Sequence, residues 1–437
     1  MSIADKLQEL IDSKADMKSA IAEKGVEVEG GLTTYAAAIR KIQQWAGDRF
    51  AAIGYNAENT GDFIQLMDAD IEVSKRILDE WNSTGYIDMN KWKDVAVYFP
   101  AVDLPPYYTN FRFLEWSKLQ VVPSLDFTGR TNMNALFFKC KSLKYIGNIT
   151  GTERVTNMSV AFADCSSLTS IPYFDTSSVT SMRDMFSGCT SLTTIPQLIT
   201  SSVIDMEAMF SYCTSLTTVP QLDTSSVSNM YRMFQKCSSL TSIPLLDCSS
   251  ATSLMGMFED CISLTTIPQL DTSSATNLSS MFNRCTSLTT IPQLDTSSVT
   301  NLSSMFEKCT SLTTIPQLDT SSVTDMTDLF EGCISLTSIP LLDCSSVTSP
   351  YSPFREVSLY KLTDLGGFKN LKVSWDTNFL KRVPNVTVES LMNVINNLYD
   401  LTANGLSGQT LAFGTHNLNK LTDEQIAVAI NKGWTLI

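Results

Sequence analysis

Eight cysteines fall on a ruler: Cys165, Cys189, Cys213, Cys237, Cys261, Cys285, Cys309 and Cys333 are each 24 residues from the next, and Cys140 precedes them by 25. A short unit repeated at a fixed period cannot bury an apolar face alone, so it must lay that face on its neighbours and build a stack. Whole stretches recur with the same period: TSLTTIPQLDTSSVT occupies 286–300 and again 310–324. The consensus unit reads SLTTIPQLDTSSVTxMxxMFxxCT and gives about nine clear coils from Leu119 to about Pro350. A worn coil precedes them, with YFPAVD (Tyr98 to Asp103) at the start of the unit and Trp116 where the cysteine stands.

The two halves of the unit have different periods. Ser191 to Pro196 sets Leu192 and Ile195 among β-prone threonines and stops at a residue that cannot donate to a ladder, which predicts a short strand. Val179, Met182, Met185, Phe186 and Cys189 make one apolar stripe, which predicts a helix of about three turns. The expected fold is therefore an α/β solenoid of 24-residue strand–helix coils.

The stretch SLTTIPQLDTSSVTNLSSMFEKC resembles the leucine-rich repeats of the BspA-like family, including the bacterial-surface signature DTS-x-V-T-x-M-x-x-M-F-x-x-C. That resemblance covers more than half of the chain. It implies a leucine-rich-repeat-like solenoid and the broad class of adhesins and surface-exposed binding proteins.

The ends are different. Ile3, Leu7, Leu10, Ile11, Met17 and Ile21 follow helical spacing, and a second helix runs to about Trp45. This pair is too small to hold a core of its own, so it reads as a docking or oligomerisation segment, residues 1–47. KSAIAEKGVEVEGGLTTYAAAIRKI resembles an N-terminal segment common in tail, fibre and other virion proteins of bacteriophages. Residues 48–95 read as a helical cap or linker, with a helix over Ile64 to Trp81, and 96–356 as the solenoid. Residues 357–437 read as an α/β C-terminal cap: a helix at Val388–Leu398, a strand at Leu411–Phe413, a helix capped by Thr422 and stopped by Gly433, and a last strand at Trp434–Ile437.

Charge and motifs narrow the function. The net charge is −14 and no Lys/Arg-rich run occurs, which argues against nucleic acid or an anionic membrane as partner. The first 20 residues lack the apolar core of a secretory signal, and no stretch approaches the roughly 18 apolar residues of a membrane span. No metal or cofactor motif is present; the cysteines are too far apart for zinc pairs and read as buried free thiols serving as small apolar residues. The Asp ladder (Asp175, Asp223, Asp247, Asp271, Asp295, Asp319 and Asp343) could collect Ca²⁺; the plainer reading is that each carboxylate accepts N–H bonds from its own TSSV turn. The one histidine, His416, falls in an expected loop, and no catalytic constellation is present, so the chain reads as non-enzymatic.

Two polar rows are the candidate ligand-binding residues. Thr193, Thr217, Thr241, Thr265, Thr289 and Thr313 form one, and Gln197, Gln221, Gln269, Gln293 and Gln317 the other, with Tyr173, Leu245 and Leu341 in substituted positions. A uniform row suits a repeating ligand such as a polysaccharide; a solubilising face on a spacer is the plain alternative. The expectation is a bacteriophage virion structural protein, fibre-like or decorating and assembled in the bacterial host cytoplasm. Its N-terminus would dock on other virion proteins and self-associate, as a trimer by analogy with phage fibres, while the solenoid adheres to a host-surface glycan or protein. The alternative is a BspA-like bacterial cell-surface adhesin.

Overall fold

The computed structural model describes residues 68–84, 86–100, 111–349, 351–354, 359–372 and 380–437. The docking segment, with Ile3, Leu7, Leu10, Ile11, Met17 and Ile21, lies outside the described residues. The chain divides into two compact units.

The first unit holds the chain up to Arg130 together with Leu136–Arg154 and Cys165–Asp175. Helix α1 (Asp68–Thr84) falls where the Ile64–Trp81 pattern predicts one, and the short α2 (Met89–Trp92) follows it. Ser74 Oγ donates to Tyr98 O at 2.7 Å, and the Trp92 indole N–H to Glu80 Oε2 at 2.6 Å, so α1 is pinned to the first coil. Tyr98 bridges Val121, and β1 (Val121–Asp126) pairs in parallel with β2 (Tyr145–Thr150), as expected of strands in successive coils. Phe113 stacks on Phe137 at 5.1 Å beneath them.

The second unit carries most of the repeats and the C-terminal region. Its backbone corrects the strand–helix coil. Val179 to Cys189 is not α-helical: it is a run of tight turns. The reason lies in two residues per coil with positive φ, Asp184 (52°) and Gly188 (75°), repeated at Ala208 and Tyr212, Arg232 and Lys236, and onward to Asp328 and Gly332. A left-handed residue takes its N–H out of any helical ladder. Alternate N–H groups then reach the next coil: Met182, Asp184, Phe186 and Gly188 donate to the carbonyls of Asp205, Glu207, Met209 and Ser211 at 2.8–3.0 Å. The intervening groups close local turns, as in Met185 N to Met182 O and Cys189 N to Phe186 O. The apolar spacing that suggested a helix is the spacing of these turns.

The predicted strand is also altered. Ser191–Pro196 and its equivalents hold no regular ladder until β3 (Ser338–Ile339); a single bond such as Thr313 N to Thr289 O at 3.2 Å joins neighbours there. Parallel bridges instead link Asn157, Ser181, Asp205, Asn229, Ser253, Asn277, Asn301 and Asp325 in succession.

The core of this unit is one side-chain lattice. Phe162, Phe186, Phe210, Phe234, Phe258, Phe282, Phe306 and Phe330 stack with centroids 5.4–6.0 Å apart and planes within 10° of parallel. Each cysteine of the 24-residue ladder donates its S–H one coil back, as Cys237 Sγ does to Phe210 O at 3.1 Å, while Cys248 and Cys344 face carbonyls of their own coil. All eleven cysteines are free and buried. Burial pushes the Cys309 and Cys248 thiols up to about 12 and holds Cys213, Cys237 and Cys285 well above the ordinary range.

Beyond the repeats, β4 (Leu342–Asp343) pairs with β6 (Phe368–Lys369) and β3 with β5 (Asp364–Leu365). Helix α3 (Val388–Asn397) is capped by Thr387, and β7 (Gln409–Leu411) starts two residues ahead of the expected strand. His416 lies in a short helix α4 (Thr415–Leu418), not a loop. Helix α5 (Asp423–Asn431) begins with a Thr422–Gln425 capping box, and β8 (Trp434–Leu436) runs parallel to β7.

Two outcomes follow from this core. Phe234→Ala removes a ring stacked on both sides and costs about 3–5 kcal/mol, read as a drop in the urea midpoint. Thiol-reactive reagents at pH 8 leave all eleven cysteines unlabelled in the native chain and label them in denaturant, because only the thiolate reacts and burial suppresses it.

Candidate functional site

The site grows out of the IPQLDT segment. Proline before glutamine contributes no N–H, and the chain bridges coils here with a side chain instead. Gln293 Nε2 donates to Leu294 O at 3.0 Å and to Gln317 O of the next coil at 2.6 Å. Gln197, Gln221, Gln269 and Gln317 repeat the pair of bonds, ending on Gln221, Leu245, Gln293 and Leu341 carbonyls. Both amide donors are therefore committed to the fold.

Two residues on, each aspartate closes its own turn. Ser297 donates its N–H (3.0 Å) and its hydroxyl (2.7 Å) to Asp295 Oδ1, and Asp223, Asp247, Asp271 and Asp319 hold Ser225, Ser249, Ser273 and Ser321 likewise. The plainer reading of the Asp ladder is the observed one. These hydroxyl and N–H donors hold the carboxyls of Asp223, Asp271, Asp295 and Asp319 below the usual range. Burial pushes Asp343 up, but Lys369, with Nζ 2.9 Å from Oδ2, and Ser345 bring it below its ordinary value. Among the described residues no group of three His, Cys, Asp or Glu side chains is placed to hold a metal ion.

Alternate residues of an extended segment share a face, so Gln and Asp point the same way. In the last coils they line a groove of about 960 Å³, formed by Gln269, Gln293 and Gln317, by Asp271, Asp295, Asp319 and Asp343, with Leu341 and Lys369 at its end. Buried Leu270, Leu294 and Leu318 form its floor. Thr265, Thr289 and Thr313 are exposed but lie outside this lining, as do Thr193 and Thr217 of earlier coils. Gln197 and Gln221 are exposed and hold the same local geometry without lining the groove. Tyr173, in the first unit, is 60% exposed. The structure thus pairs the glutamine row with aspartates, not threonines. The i, i+2 spacing in QLD carried that signal; Lys369 lies outside the repeats and had none.

A family described as "Mycoplasma protein of unknown function, DUF285" matches residues 131–245, 193–289 and 252–368, which together run from 131 to 368 and exceed half of the chain. The chain belongs to the DUF285 family. The same residues carry the BspA-like resemblance. No curated protein matches this DUF285 chain. Among solved structures it is similar to an internalin from Listeria monocytogenes, at 13% identity over 72% of this chain and 86% of that one, with a TM-score of 0.23. It is also similar to a chain of the Toll–Spatzle complex from Drosophila, at 16% identity over 75% and 43% of the two chains and a TM-score of 0.26.

The lowered aspartates give a signed pH dependence. A carboxyl whose folded pKa is depressed stabilises the fold fully above its unfolded value of about 3.9 and loses that contribution as pH falls through the folded value. Carboxyl-carbon chemical shifts followed against pH place the Asp271, Asp295 and Asp319 midpoints below those of the urea-unfolded chain. The Asp295→Asn variant loses less stability than the parent between pH 5 and pH 2.

Proposed function

We propose that this DUF285 chain is a non-enzymatic recognition protein that adheres to a surface polymer through its repeat stack. The observation that carries this reading is the groove: coil after coil presents the same glutamine and aspartate on one exposed face. Identical weak contacts repeated along a stack, and again over many copies, give avidity without a deep pocket.

In its finer form the proposal is a bacteriophage virion component, fibre-like or decorating. Its N-terminal segment docks on the particle and self-associates, and its stack meets a host-surface glycan or protein. The support is the resemblance of residues 18–42 to virion N-terminal segments. A bacterial cell-surface adhesin is the second reading, favoured by the BspA-like character of the repeats.

Purified full-length chain, titrated onto candidate bacterial cells with and without glycans extracted from them, tests the recognition reading. Saturable binding that the soluble glycan competes away is the expected result; no binding to any cell or extract overturns it. Mass spectrometry of purified particles separates the finer readings: the chain is expected in virions, and its recovery only from cell envelopes sinks the virion role.

A further inference from the structure

The hydrogen-bond polarity of the groove narrows its occupant. Apart from Lys369 at its end, whose half-exposed ammonium keeps N–H groups beyond its one bond to Asp343, every side-chain donor lining it is spent within the fold. The glutamine Nε2 groups bridge coils, Thr272, Thr296 and Thr320 hydroxyls donate to the carbonyls of Asp295, Asp319 and Asp343 at 2.7, 2.8 and 3.0 Å, and Ser297 and Lys369 hold carboxylates. Away from Lys369 the atoms left over are acceptors: Oε1 of Gln269, Gln293 and Gln317, and Oδ2 of Asp271, Asp295 and Asp319. This face asks its ligand for donors.

Resting on the recognition reading above, we propose that the groove over Gln269–Asp343 takes a neutral, hydroxyl-rich glycan strand laid along the stack, about one sugar ring to a coil. Sugar hydroxyls supply the donors, and a hydroxyl on a carboxylate makes a charge-assisted bond, about twice as strong as a neutral one. The half-buried Leu341 side chain offers an apolar contact for the C–H face of a ring. Acidic glycans are disfavoured, because a polyanion meets the carboxylates of Asp271, Asp295 and Asp319, while the one cation in the lining, Lys369, sits at the groove's end and is held by Asp343. An extended basic peptide has donors but the wrong step. Same-face residues of a strand repeat at roughly 6.4–6.8 Å. The coils stand 5.7–6.0 Å apart at their phenylalanines between Phe258 and Phe330. Against that core spacing a rigid strand falls out of step by roughly 0.4–1.1 Å for each coil it passes.

Full-length chain is titrated with neutral glycans (glucans, mannans, xylans), acidic ones (alginate, polygalacturonate, hyaluronan) and polylysine, at 0.15 M and 1 M NaCl. The expected result is binding to at least one neutral glycan, unchanged at high salt because no ion pair is screened. The double variant Asp295→Asn, Asp319→Asn keeps the turn-closing Oδ1 but places an amide where Oδ2 stood; it loses roughly tenfold or more in affinity. Arg284→Gln, away from the groove, binds as the parent does. Binding confined to acidic glycans, or to polylysine at low salt only, overturns this proposal and leaves the recognition reading standing. Neutral-glycan binding indifferent to the double variant, with circular dichroism unchanged, overturns the assignment to the groove. Absence of binding to every glycan and cell overturns both readings together.

Discussion

A coil of 24 residues cannot satisfy its own backbone, and everything else in the repeats follows from where the surplus N–H groups go. At Met182, Asp184, Phe186 and Gly188 they go to the next coil. Each coil therefore supplies acceptors to one neighbour and takes them from the other. The phenylalanine stack and the cysteine S–H bonds are commensurate with that exchange, since all three link a coil to its neighbour at one shared spacing. Positive φ at two residues per coil costs roughly 1–2 kcal/mol at each non-glycine position, and the inter-coil bonds offset that strain.

The repeat, its period and its core were legible because they rest on residue identity. Leu, Ile, Val, Met, Phe and Cys recurring at fixed offsets read as a shared interior, and from Val179 to Cys333 each side chain at those offsets is buried, while apolar residues off the pattern, such as Ile204, Leu245 and Ile334, are exposed. The backbone path was not legible. The two left-handed positions hold Asp, Ala, Arg, Ser, Tyr and Lys as well as Gly188, Gly256 and Gly332, so no constant glycine marks them. What selects that conformation is the neighbouring coil, which a local pattern cannot express, and the same spacing reads equally well as a helical stripe. By contrast, Thr422 and Gly433 announce helix ends by side-chain or φ requirements of their own, and the last helix lies close to where those residues put it.

The candidate site divides the same way. Gln and Asp rows are visible as letters, and the aspartate turn was legible with them, but the glutamine's role inverts once geometry is known. The glutamine amide that looks like a donor for ligands is spent as a strut between coils. The carboxylate that looks like a calcium ligand closes a serine turn with one oxygen and leaves the other outward. Substitution at Leu245 interrupts the strut, and at Leu341 the backbone pairing of β4 with β6 takes over its role.

Because each coil presents the same upper and lower surfaces, a coil is an exchangeable module. Removing or duplicating one 24-residue unit, such as Thr286–Cys309, rejoins two surfaces that already fit. Two adjacent units here share an unbroken run of fifteen identical residues. The reach of this protein can thus change in single steps, by inheritance of one coil more or fewer, while the interior chemistry and the groove profile stay as they are.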